Sequence, residues 1–452
     1  MRSINRRDFM FGSGLTTAVS SAVFSGNKLL WAASPGPASV PPSDRLRLGV
    51  IGMGMRAFQD VASFVSATGT ELVMAADVYD GRLTRAKEIY KDVETTKDYR
   101  RILDRKDIDI VLIATPDQWK KRMILETMES GKDVYCEKPL TYTVQDGFDI
   151  IKAEKRYNKI LQVGSQEVAS PLVELIKKWV DDGKLGQITQ AKSSVCRNSA
   201  EGACYYPIAP DASEKTIDWK NFLGPAPDRP FDVKRYFHWR VYWDYSGGMA
   251  TDLGVHYVNT LHYVLGLTAP RSVVCYGGSY HWNKIYPETE IPDTIDILYE
   301  YPGMTSHFSV NLSTTGPDQG TYIYGTMGTA FMGRGGLTFS EGSQKPSWSW
   351  VINAWPIALQ KQWLKEQNMI SLAREYAPGT DTTSVRSEVY EGVGDITDLH
   401  VQSFVDSVRT RKPTREGAVQ GSNAALAGHM ANLSYKNGGR KVTWDGKQMN
   451  LA

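Results

Sequence analysis

The chain is poor in cysteine and lacks the cysteine spacings of a metal site. Its 452 residues include 4 cysteines, which are Cys136, Cys196, Cys204 and Cys275. None of them forms a Cys-x-x-Cys pair and no paired histidines accompany them, so no metal site is predicted. In an oxidising compartment a bridge between Cys196 and Cys204 is possible, and the sequence alone leaves this open.

The chain also lacks an excess of charge of one sign. The formal net charge is +2, and the first 33 residues carry four basic residues against one acidic residue, so the remainder is slightly acidic. No electrostatic argument therefore supports a nucleic acid or an anionic membrane as a partner. A chain of 452 residues is longer than one hydrophobic core usually supports, so two domains are expected.

No apolar run is long enough to span a membrane, but the N-terminus has a different pattern. Arg6 and Arg7 are followed by Phe9 and by a weakly apolar stretch without charged residues. This pattern resembles a twin-arginine export signal, whereas the run is too short and too poor in Leu and Ile for a transmembrane helix. We expect residues 1–33 to be this signal and residues 34–44 a proline-rich linker. The protein is then periplasmic or otherwise exported, with no membrane anchor after signal cleavage.

From residue 45 the sequence alternates between strand and helix patterns. Residues 108–114 are a nearly continuous apolar run, typical of a parallel strand that is buried on both faces. Alternation of this kind predicts a doubly wound parallel sheet, a Rossmann domain, over residues 45–167. The predicted strands are residues 45–51, 71–77, 108–114, 133–136 and 160–163, with a helix over 144–157.

The pattern changes after a predicted helix at residues 171–182. Longer strands joined by turns indicate an open, largely antiparallel sheet in a C-terminal α/β domain over residues 168–452. The predicted strands are residues 188–195, 272–280, 294–301, 305–312 and 321–324. Two weakly periodic regions, 198–242 and 333–395, interrupt this pattern, and loops of such length tend to be functional.

A dinucleotide-binding fingerprint directly follows the first predicted strand. Gly52-x-Gly54-x-x-Ala57 stands where this strand gives way to a helix. The first glycine permits a tight turn, the second lets a pyrophosphate approach the backbone, and the small third residue lets helix and strand pack closely. The N-terminus of the helix then offers free N–H groups and the positive end of its dipole to the phosphates.

Asp77, at the end of the second predicted strand, indicates which dinucleotide is bound. A carboxylate at this place accepts hydrogen bonds from the ribose 2′-hydroxyl and repels a 2′-phosphate. NAD is therefore favoured as the cofactor over NADP, although Arg82 and Arg85 follow closely in sequence.

Lys138 stands at another strand end, within Cys136-Glu137-Lys138-Pro139. The carboxyl ends of parallel strands line the ligand crevice, so Lys138 is expected near the nicotinamide end of the cofactor. Together with the fingerprint, this element resembles the Gfo/Idh/MocA family, named for glucose-fructose oxidoreductase and inositol dehydrogenase. The resemblance rests on residues 49–54, 114–117, 131–139, 247–248, 252–256, 324–329 and 439–445.

The resemblance implies a Rossmann domain followed by an α/β domain whose open sheet mediates homo-oligomers. It also implies a small-molecule carbohydrate substrate, such as a sugar or polyol. The catalytic residues that follow from it are Lys138, Asp252 and His256. The cofactor-binding residues predicted from the fingerprint and the resemblance are Gly52, Gly54, Met55, Arg56, Asp77, Thr115, Pro116, Glu137, Lys138 and Gln166.

The spacing of Asp252 and His256 supports a common site independently of the resemblance. Residues 251–265 have helical apolar spacing and end at Gly266, so residues four apart share one face. Asp252 and His256 would then point together into the cleft between the domains. A histidine in an apolar helix is often only a core residue, and here the neighbouring aspartate favours a functional role.

The three side chains suit alcohol oxidation. His256 is the candidate general base, Lys138 would stabilise negative charge on the reacting oxygen, and Asp252 would bind an adjacent hydroxyl or orient the pair. The proton roles of Lys138 and His256 could be exchanged, and the sequence leaves this open.

Some positions depart from the family pattern. Many sugar-active relatives carry histidines soon after the Thr-Pro-Asp element, where this chain has Gln118 and Lys120, so contacts on that side are expected to differ. Further candidate substrate contacts are Gln166, Arg197, Tyr206, His238 and Arg240.

Export would place the enzyme where free NAD is scarce, and twin-arginine systems carry folded proteins. A tightly retained NAD is therefore expected, with a redox cycle that closes within one active site. The first hypothesis is an oxidoreductase, and the alternative is an NAD-dependent glycosidase that works by transient oxidation and elimination. Such glycosidases carry His-Gly-x-Gly where this chain has residues 252–256, so the oxidoreductase ranks first. A non-catalytic nucleotide-binding module is the third hypothesis.

Overall fold

The computed structural model describes residues 28–31, 44–67, 69–316, 319–333, 335–342, 349–352, 354–366 and 387–452. The twin-arginine motif and most of the predicted linker lie outside these residues. Within the described ranges, no helix is long and apolar enough to cross a membrane, and no cluster of three or more His, Cys, Asp or Glu side chains is arranged to hold a metal ion. Cys136, Cys196, Cys204 and Cys275 are all free thiols, so no Cys196–Cys204 bridge is formed.

The N-terminal part of the chain forms a six-stranded parallel sheet. After β1 (Lys28–Trp31), which belongs to another sheet, its strands are β2 (Leu46–Ile51), β3 (Thr70–Ala76), β4 (Glu94–Thr96), β5 (Ile110–Ile113), β6 (Asp133–Glu137) and β7 (Leu161–Gly164). The strand order is β4-β3-β2-β5-β6-β7, which is that of a doubly wound dinucleotide-binding domain. All four positions of β5 are buried, as its continuous apolar run predicts.

Helices pack on this sheet and connect its strands. They are α1 (Met55–Ala67), α2 (Asp80–Ile89), α3 (Arg100–Leu103), α4 (Asp117–Glu129) and α5 (Val144–Tyr157). The ends of α5 follow from local chemistry. Thr143 and Asp146 form a capping box at its start, and Asn158 ends it in the left-handed conformation with a φ of 50°.

The second part of the chain contributes a larger sheet of eleven strands. Besides β1 they are β8 (Ile188–Cys196), β9 (Ser272–Gly278), β10 (Thr294–Tyr301), β11 (Met304–Asn311), β12 (Gly320–Gly325), β13 (Gly328–Gly333), β14 (Gly336–Glu341), β15 (Ser387–Val393), β16 (Val442–Trp444) and β17 (Met449–Leu451). Their order is β1-β15-β14-β13-β12-β8-β11-β10-β9-β16-β17. Most pairs are antiparallel, and β1–β15 and β8–β11 are parallel. The predicted α/β fold class, a parallel Rossmann sheet followed by a largely antiparallel one, is confirmed.

Ten α-helices follow α5 in the described part of the chain. They are α6 (Pro171–Asp181), α7 (Trp219–Leu223), α8 (Val233–Phe237), α9 (Gly248–Asp252), α10 (Gly254–Leu265), α11 (Trp282–Ile285), α12 (Ser349–Ile352), α13 (Ile357–Glu366), α14 (Ile396–Thr410) and α15 (Ala418–Lys436). Helix α15 packs on β9 and on α10 and contributes small buried residues to that interface.

Helix α14 packs on the parallel sheet instead of on the second one. Phe404 lies edge-on to Phe64 and Tyr135, with ring centroids 6.1 and 5.6 Å away. The sequence places α14 in a C-terminal domain over residues 168–452. In the structure this helix completes the hydrophobic core of the N-terminal sheet.

Residues 198–242, here called the strap, run from the second sheet back to the first. Tyr79, just after β3, forms a β-bridge with Ile217 of the strap. The N–H of Asp218 donates to the carbonyl of Val78 over 2.8 Å. The strap therefore reaches the carboxyl end of β3, next to Asp77.

Strand β1 lies at one edge of the second sheet. It pairs in parallel with β15, and Trp31 lies opposite Val393. These residues fall within the predicted signal of residues 1–33.

Candidate active site

A cavity of about 350 Å³ opens at the carboxyl ends of the parallel strands. This volume lies within the range of roughly 300–1,000 Å³ that small-molecule sites occupy. Its walls include the predicted cofactor residues Gly52, Gly54, Met55, Arg56, Asp77, Thr115 and Pro116. The strap supplies another part of the wall with Tyr206, Phe222, Tyr236, Trp239 and Arg240. The cavity thus lies between the two parts of the chain.

The two fingerprint glycines serve different purposes in this wall. Gly52 has a φ of +89°, and a Cβ there would lie 2.7 Å from the carbonyl oxygen of Ala114, so no other residue fits. A Cβ on Gly54 would meet no heavy atom nearer than 3.8 Å, where the guanidinium of Arg82 lies. Gly54 therefore leaves the open approach beside the start of α1 that a pyrophosphate needs.

Asp77 is buried at the edge of the cavity. Its Oδ1 accepts hydrogen bonds from the backbone N–H of Tyr79 at 2.9 Å and the hydroxyl of Tyr236 at 3.3 Å. Its Oδ2 lies 3.4 Å from Nη1 of Arg82. Arg85, the other nearby arginine, forms an ion pair on the exposed face of α2.

Three other predicted cofactor residues bind one another. Oε1 of Glu137 accepts from Nε of Arg56 at 3.2 Å and from Nε2 of Gln166 at 3.0 Å. Nη2 of Arg56 also lies 2.7 Å from a carboxylate oxygen of Asp60. Burial and the charge of Glu137 raise the pKa of Asp60 well above its ordinary value, although Arg56 opposes this. Arg56 reaches the cavity wall, whereas Glu137 and Gln166 lie outside its lining.

Lys138 is held by Asp252. Its ammonium donates to the main-chain oxygen of Asp252 at 2.7 Å and to its carboxylate at 3.1 Å. Nε of Arg240, from the strap, lies 3.4 Å from the same carboxylate oxygen. Burial opposes ionisation of Asp252, but the charges of Lys138 and Arg240 outweigh it and hold the pKa of Asp252 well below its ordinary value. Asp252 is therefore an ionised group that fixes the position of Lys138.

The predicted helix over residues 251–265 ends at Leu265 before Gly266 as expected, but the structure interrupts it at Leu253. The N–H of His256 bonds to the carbonyl of Leu253 at 3.3 Å. In an uninterrupted helix this N–H would donate to the carbonyl of Asp252. The interruption leaves that carbonyl available, and Lys138 occupies it.

His256 is oriented by Glu167, which the sequence analysis did not identify. Nδ1 of His256 lies 2.8 Å from Oε2 of Glu167. Burial disfavours the Glu167 carboxylate, but the charge of His256 and its hydrogen bond dominate and lower the pKa of Glu167 to about 2. Donation from Nδ1 leaves Nε2 as the acceptor nitrogen, and the imidazole is 24% exposed. Glu167 directly follows the predicted Gln166 at the end of β7, which is a signal that could have found it.

The residues after the Thr-Pro-Asp element are structural. The ammonium of Lys120 is buried and donates to Asp117 at 3.0 Å and to the carbonyls of Lys138 and Pro139 at 2.8 and 2.9 Å. Gln118 donates to a carbonyl of the strap at 3.3 Å. Lys120 thus supports the loop that carries Lys138, and it is not available to a substrate.

The candidate substrate contacts of the strap region separate into two groups. Tyr206 and Arg240 line the cavity. His238 is buried and its Nε2 pairs with the carbonyl of Tyr206 at 2.8 Å, while Arg197 is exposed outside the cavity lining. The geometry therefore retains Tyr206 and Arg240 as candidates.

Taken together, the residues present fit a dinucleotide that has a free ribose 2′-hydroxyl. The open approach at Gly54 suits a pyrophosphate, and the buried carboxylate of Asp77 suits the ribose. Arg240 connects the cavity wall to Asp252, and through it to Lys138. The candidate proton-transfer groups thus adjoin the cofactor region.

Two family models match consecutive parts of this chain. The model for the Gfo/Idh/MocA oxidoreductase family, NAD-binding Rossmann fold, matches residues 46–165. The model for the Gfo/Idh/MocA C-terminal domain matches residues 173–331. Together the two models match more than half of the chain.

Curated relatives match a smaller part. The chain is 36% identical to an alpha-N-acetylgalactosaminidase of Shewanella oneidensis over 177 residues, which are 35% of this chain and 39% of that protein. It is 35% identical over 177 residues to a glycosyl hydrolase family 109 protein of Shewanella baltica, with the same coverage. The match thus spans less than half of the length of these relatives.

Solved structures match nearly the whole fold. A levoglucosan dehydrogenase in complex with NADH and levoglucosan has a TM-score of 0.64 and 16% identity, over 88% of this chain and 99% of the other. An aldose-aldose oxidoreductase from Caulobacter crescentus, complexed with glycerol, has a TM-score of 0.62 and 17% identity, over 88% and 100% of the two chains. At these identities the likeness shows a shared fold.

Proposed function

Because this chain belongs to the Gfo/Idh/MocA family of oxidoreductases and has its NAD-binding Rossmann domain, we propose that it oxidises or reduces a sugar, polyol or glycoside by hydride transfer. The observation that carries the proposal is the pairing of His256 with Glu167 next to the ion pair of Lys138 and Asp252. This arrangement supplies one proton acceptor and one fixed positive charge beside the cofactor region. Membership in the family confirms the predicted resemblance and NAD as the cofactor.

A small-molecule carbohydrate is the proposed substrate. The matching structures include enzymes named for levoglucosan and for aldoses, and the matching relatives include an alpha-N-acetylgalactosaminidase. The cavity wall also offers the phenol of Tyr206 and the guanidinium of Arg240, which can hydrogen-bond hydroxyl groups.

His256 is the proposed general base. Oxidation of an alcohol to a carbonyl removes a proton from the oxygen and a hydride from the carbon, and bound NAD supplies the hydride acceptor. Glu167 holds Nδ1 of His256 as a donor, so Nε2 carries the lone pair that accepts the hydroxyl proton. In the reverse reaction the same nitrogen returns the proton to the oxygen.

Lys138 is the proposed stabiliser of charge on the reacting oxygen. Its ammonium is held by two acceptors of Asp252, which leaves one of its three N–H donors for the substrate oxygen. Because Asp252 is ionised and bound to Lys138, it holds this ammonium in place. The geometry therefore favours His256 over Lys138 as the base.

The second candidate is an NAD-dependent glycosidase. In this reaction a transiently formed carbonyl acidifies a neighbouring C–H, and the glycosidic bond breaks by elimination of the aglycone alcohol. Water then adds to the resulting double bond, and the carbonyl is reduced back to the alcohol. The similarity to an alpha-N-acetylgalactosaminidase and to glycosyl hydrolase family 109 proteins favours it. The same base and the same ammonium would serve this chemistry.

One screen separates these functions. Purified protein is incubated with sugars, polyols and aryl glycosides while nicotinamide absorbance and aglycone release are followed together. Net absorbance change, or exchange between two carbonyl substrates, supports the oxidoreductase, whereas aglycone release without net absorbance change supports the glycosidase. Nucleotide binding without either reaction would leave the non-catalytic module and contradict both enzymatic proposals.

We also propose that NAD is retained during turnover. The strap covers one side of the cofactor cavity, so a bound dinucleotide would have limited access to solvent. The test is to denature the purified protein and to quantify the nucleotide that it releases. Release of far less than one equivalent of NAD per chain, even when NAD was present during folding, would contradict retention.

Export through the twin-arginine route is proposed from Arg6 and Arg7. Replacing both arginines by lysine should move the protein from the exported fraction to the cytoplasmic one, measured by cell fractionation. The mass of the exported protein is informative as well, since cleavage after residue 33 would remove β1 from the sheet.

A homo-oligomer through the second sheet is also proposed. Strand β10 alternates buried and exposed positions, and Leu298 on its outer side is 57% exposed. Leu298→Asp should reduce the molar mass in light scattering if this face joins subunits. An unchanged mass would exclude this face from the interface.

A further inference from the structure

The strap places a tyrosine from the second part of the chain beside the cofactor-selecting carboxylate. The hydroxyl of Tyr236, in α8, donates to Asp77 at 3.3 Å and accepts from Nη1 of Arg82 at 2.9 Å. Tyr236 is 2% exposed, and burial raises its pKa well above the ordinary value. The hydroxyl therefore keeps its proton and bridges a carboxylate and a guanidinium.

Packing and backbone bonds hold Tyr236 in this position. Its ring lies 5.0 Å from the rings of both Phe222 and Phe237, which belong to the strap. The strap itself is attached beside the parallel sheet at the start of α2, where the N–H of Asp80 donates to the carbonyl of Thr216 at 3.0 Å. Aromatic packing within the strap thus holds the hydroxyl of Tyr236 next to Asp77.

Arg82 lines the cavity and forms an ion pair with Asp77. Its guanidinium lies over the ring of Tyr236, 5.1 Å from the centroid, and also faces Gly54. NADP-binding members of such folds use an arginine near this place to hold the 2′-phosphate. Here Nη1 of Arg82 is bound by Tyr236 and Asp77, so this arginine is engaged before a cofactor arrives.

We propose that Tyr236 is a cofactor-selectivity residue that keeps Arg82 on Asp77 and so denies it to the 2′-phosphate of NADP. Asp77 alone repels a 2′-phosphate, but a free Arg82 beside it would offset this repulsion. Because the hydroxyl of Tyr236 binds Arg82, this arginine does not offset the repulsion. A residue of the second part of the chain thereby increases the selectivity for NAD over NADP. This inference rests on NAD binding and is independent of the hydride chemistry.

The test uses the nucleotide that the protein carries and binds. Wild-type protein and the variant Tyr236→Phe are purified, denatured and analysed for released NAD and NADP by mass spectrometry. The nucleotide-free fraction of each is titrated with NADH and NADPH by fluorescence. Tyr236→Phe removes the hydroxyl but keeps the ring and its packing. The control is Tyr280→Phe, which removes a hydroxyl from a side chain that is 60% exposed and outside the cavity lining.

We expect Tyr236→Phe to raise affinity for NADPH relative to NADH roughly 10-fold, the usual effect of one hydrogen bond to a charged group. Adding Arg82→Ala to Tyr236→Phe should cancel this gain, while Arg82→Ala alone should change the ratio little. A purely structural role of Tyr236 would weaken both nucleotides equally and would not depend on Arg82.

An unchanged ratio in Tyr236→Phe that still binds NAD would overturn this proposal and leave the proposed enzyme intact. If Tyr236→Phe does not fold, the nucleotide affinities of the single variant Arg82→Ala test the proposal. A large loss of NADPH affinity in Arg82→Ala would mean that Arg82 of the wild-type protein is free to bind the 2′-phosphate, which would overturn the proposal. Failure of the wild-type protein to bind either nucleotide would overturn the cofactor assignment together with this inference.

Discussion

At the scale of single residues, the proposed chemistry depends on the arrangement around His256. The Nδ1 atom of its imidazole is engaged by Glu167, and the ammonium of Lys138 is engaged by Asp252. Each candidate catalytic group therefore has its own carboxylate partner. This division of partners suits the proposed roles, in which His256 transfers the proton and Lys138 stabilises the charge.

The first prediction is that His256→Ala retains bound NAD but loses chemistry. The imidazole lies outside the cavity lining, so the nucleotide released on denaturation should match that of the wild-type protein. The single-turnover rate with the substrate found by screening should fall by roughly 10²-fold or more, the usual contribution of a general base. The control is His281→Ala, an exposed histidine. Unchanged turnover in His256→Ala would remove this residue from the base role.

The second prediction concerns the pH dependence of stability. His256 lowers the pKa of Glu167 from 4.5 to about 2, against the opposing effect of burial. A carboxylate with a depressed pKa stabilises the folded state fully above its unfolded value, and this contribution is lost as pH falls from about 4.5 toward 2. Glu167→Gln should therefore lower Tm at pH 6, and its difference from wild type should shrink at pH 3. Glu129→Gln, at an exposed position of α4, is the control, and a difference that stays constant with pH would contradict the pairing.

The residues of this site differ in how far sequence could predict them. Lys138, Asp252 and His256 were identifiable because short motifs mark them. Glu167 lies in a short 3₁₀ turn without a periodic pattern, so its place directly after Gln166 is the signal that the sequence offers for it. Its pairing with His256 is a contact between residues far apart in sequence, which one sequence does not reveal.

At the scale of helices and strands, the alternating pattern predicted the parallel sheet well. Strand β10 and helix α5 have the predicted ends, since turn and capping residues mark them locally. The helix that carries His256 was predicted without its interruption. The interruption accompanies a tertiary contact, because Lys138 donates to the carbonyl of Asp252, which an uninterrupted helix would use for its own hydrogen bond.

The third prediction concerns α14, which covers the parallel sheet although it follows the second sheet in sequence. Phe404 is fully buried against Phe64 and Tyr135. Phe404→Ala should lower the free energy of unfolding by about 3–5 kcal/mol, as large-to-small changes in a core do. Chemical denaturation measures this loss, with Gln402→Ala on the solvent side of the same helix as the control. A loss below about 1 kcal/mol would show that α14 is not part of this core.

At the scale of the whole molecule, the strap connects the two parts through the cofactor cavity. The hydroxyl of Tyr79 donates to Asp211 of the strap, and burial together with this carboxylate raises the pKa of Tyr79 to about 12. The hydroxyl of Tyr79 therefore keeps its proton and remains the donor over the whole neutral range. It ties the strap to the sheet next to Asp77.

The fourth prediction is that weakening this tie speeds the release of NAD. Asp211→Ala removes the acceptor, so the rate at which bound NAD exchanges with labelled NAD should rise roughly 10-fold. Asp228→Ala, another exposed acidic residue of the strap, is the matched control. Equal exchange rates in the two variants would mean that the strap does not limit release.

The position of α14 has a consequence for how the protein is made. Strand β7 ends at Gly164, but the helix that closes the core of this sheet begins at Ile396. While the chain is still being synthesised, the sheet exposes the apolar surface that α14 later covers, and such surfaces attract aggregation and chaperones. The nucleotide-binding domain is thus translated early, but its core is completed only after α14 has been synthesised.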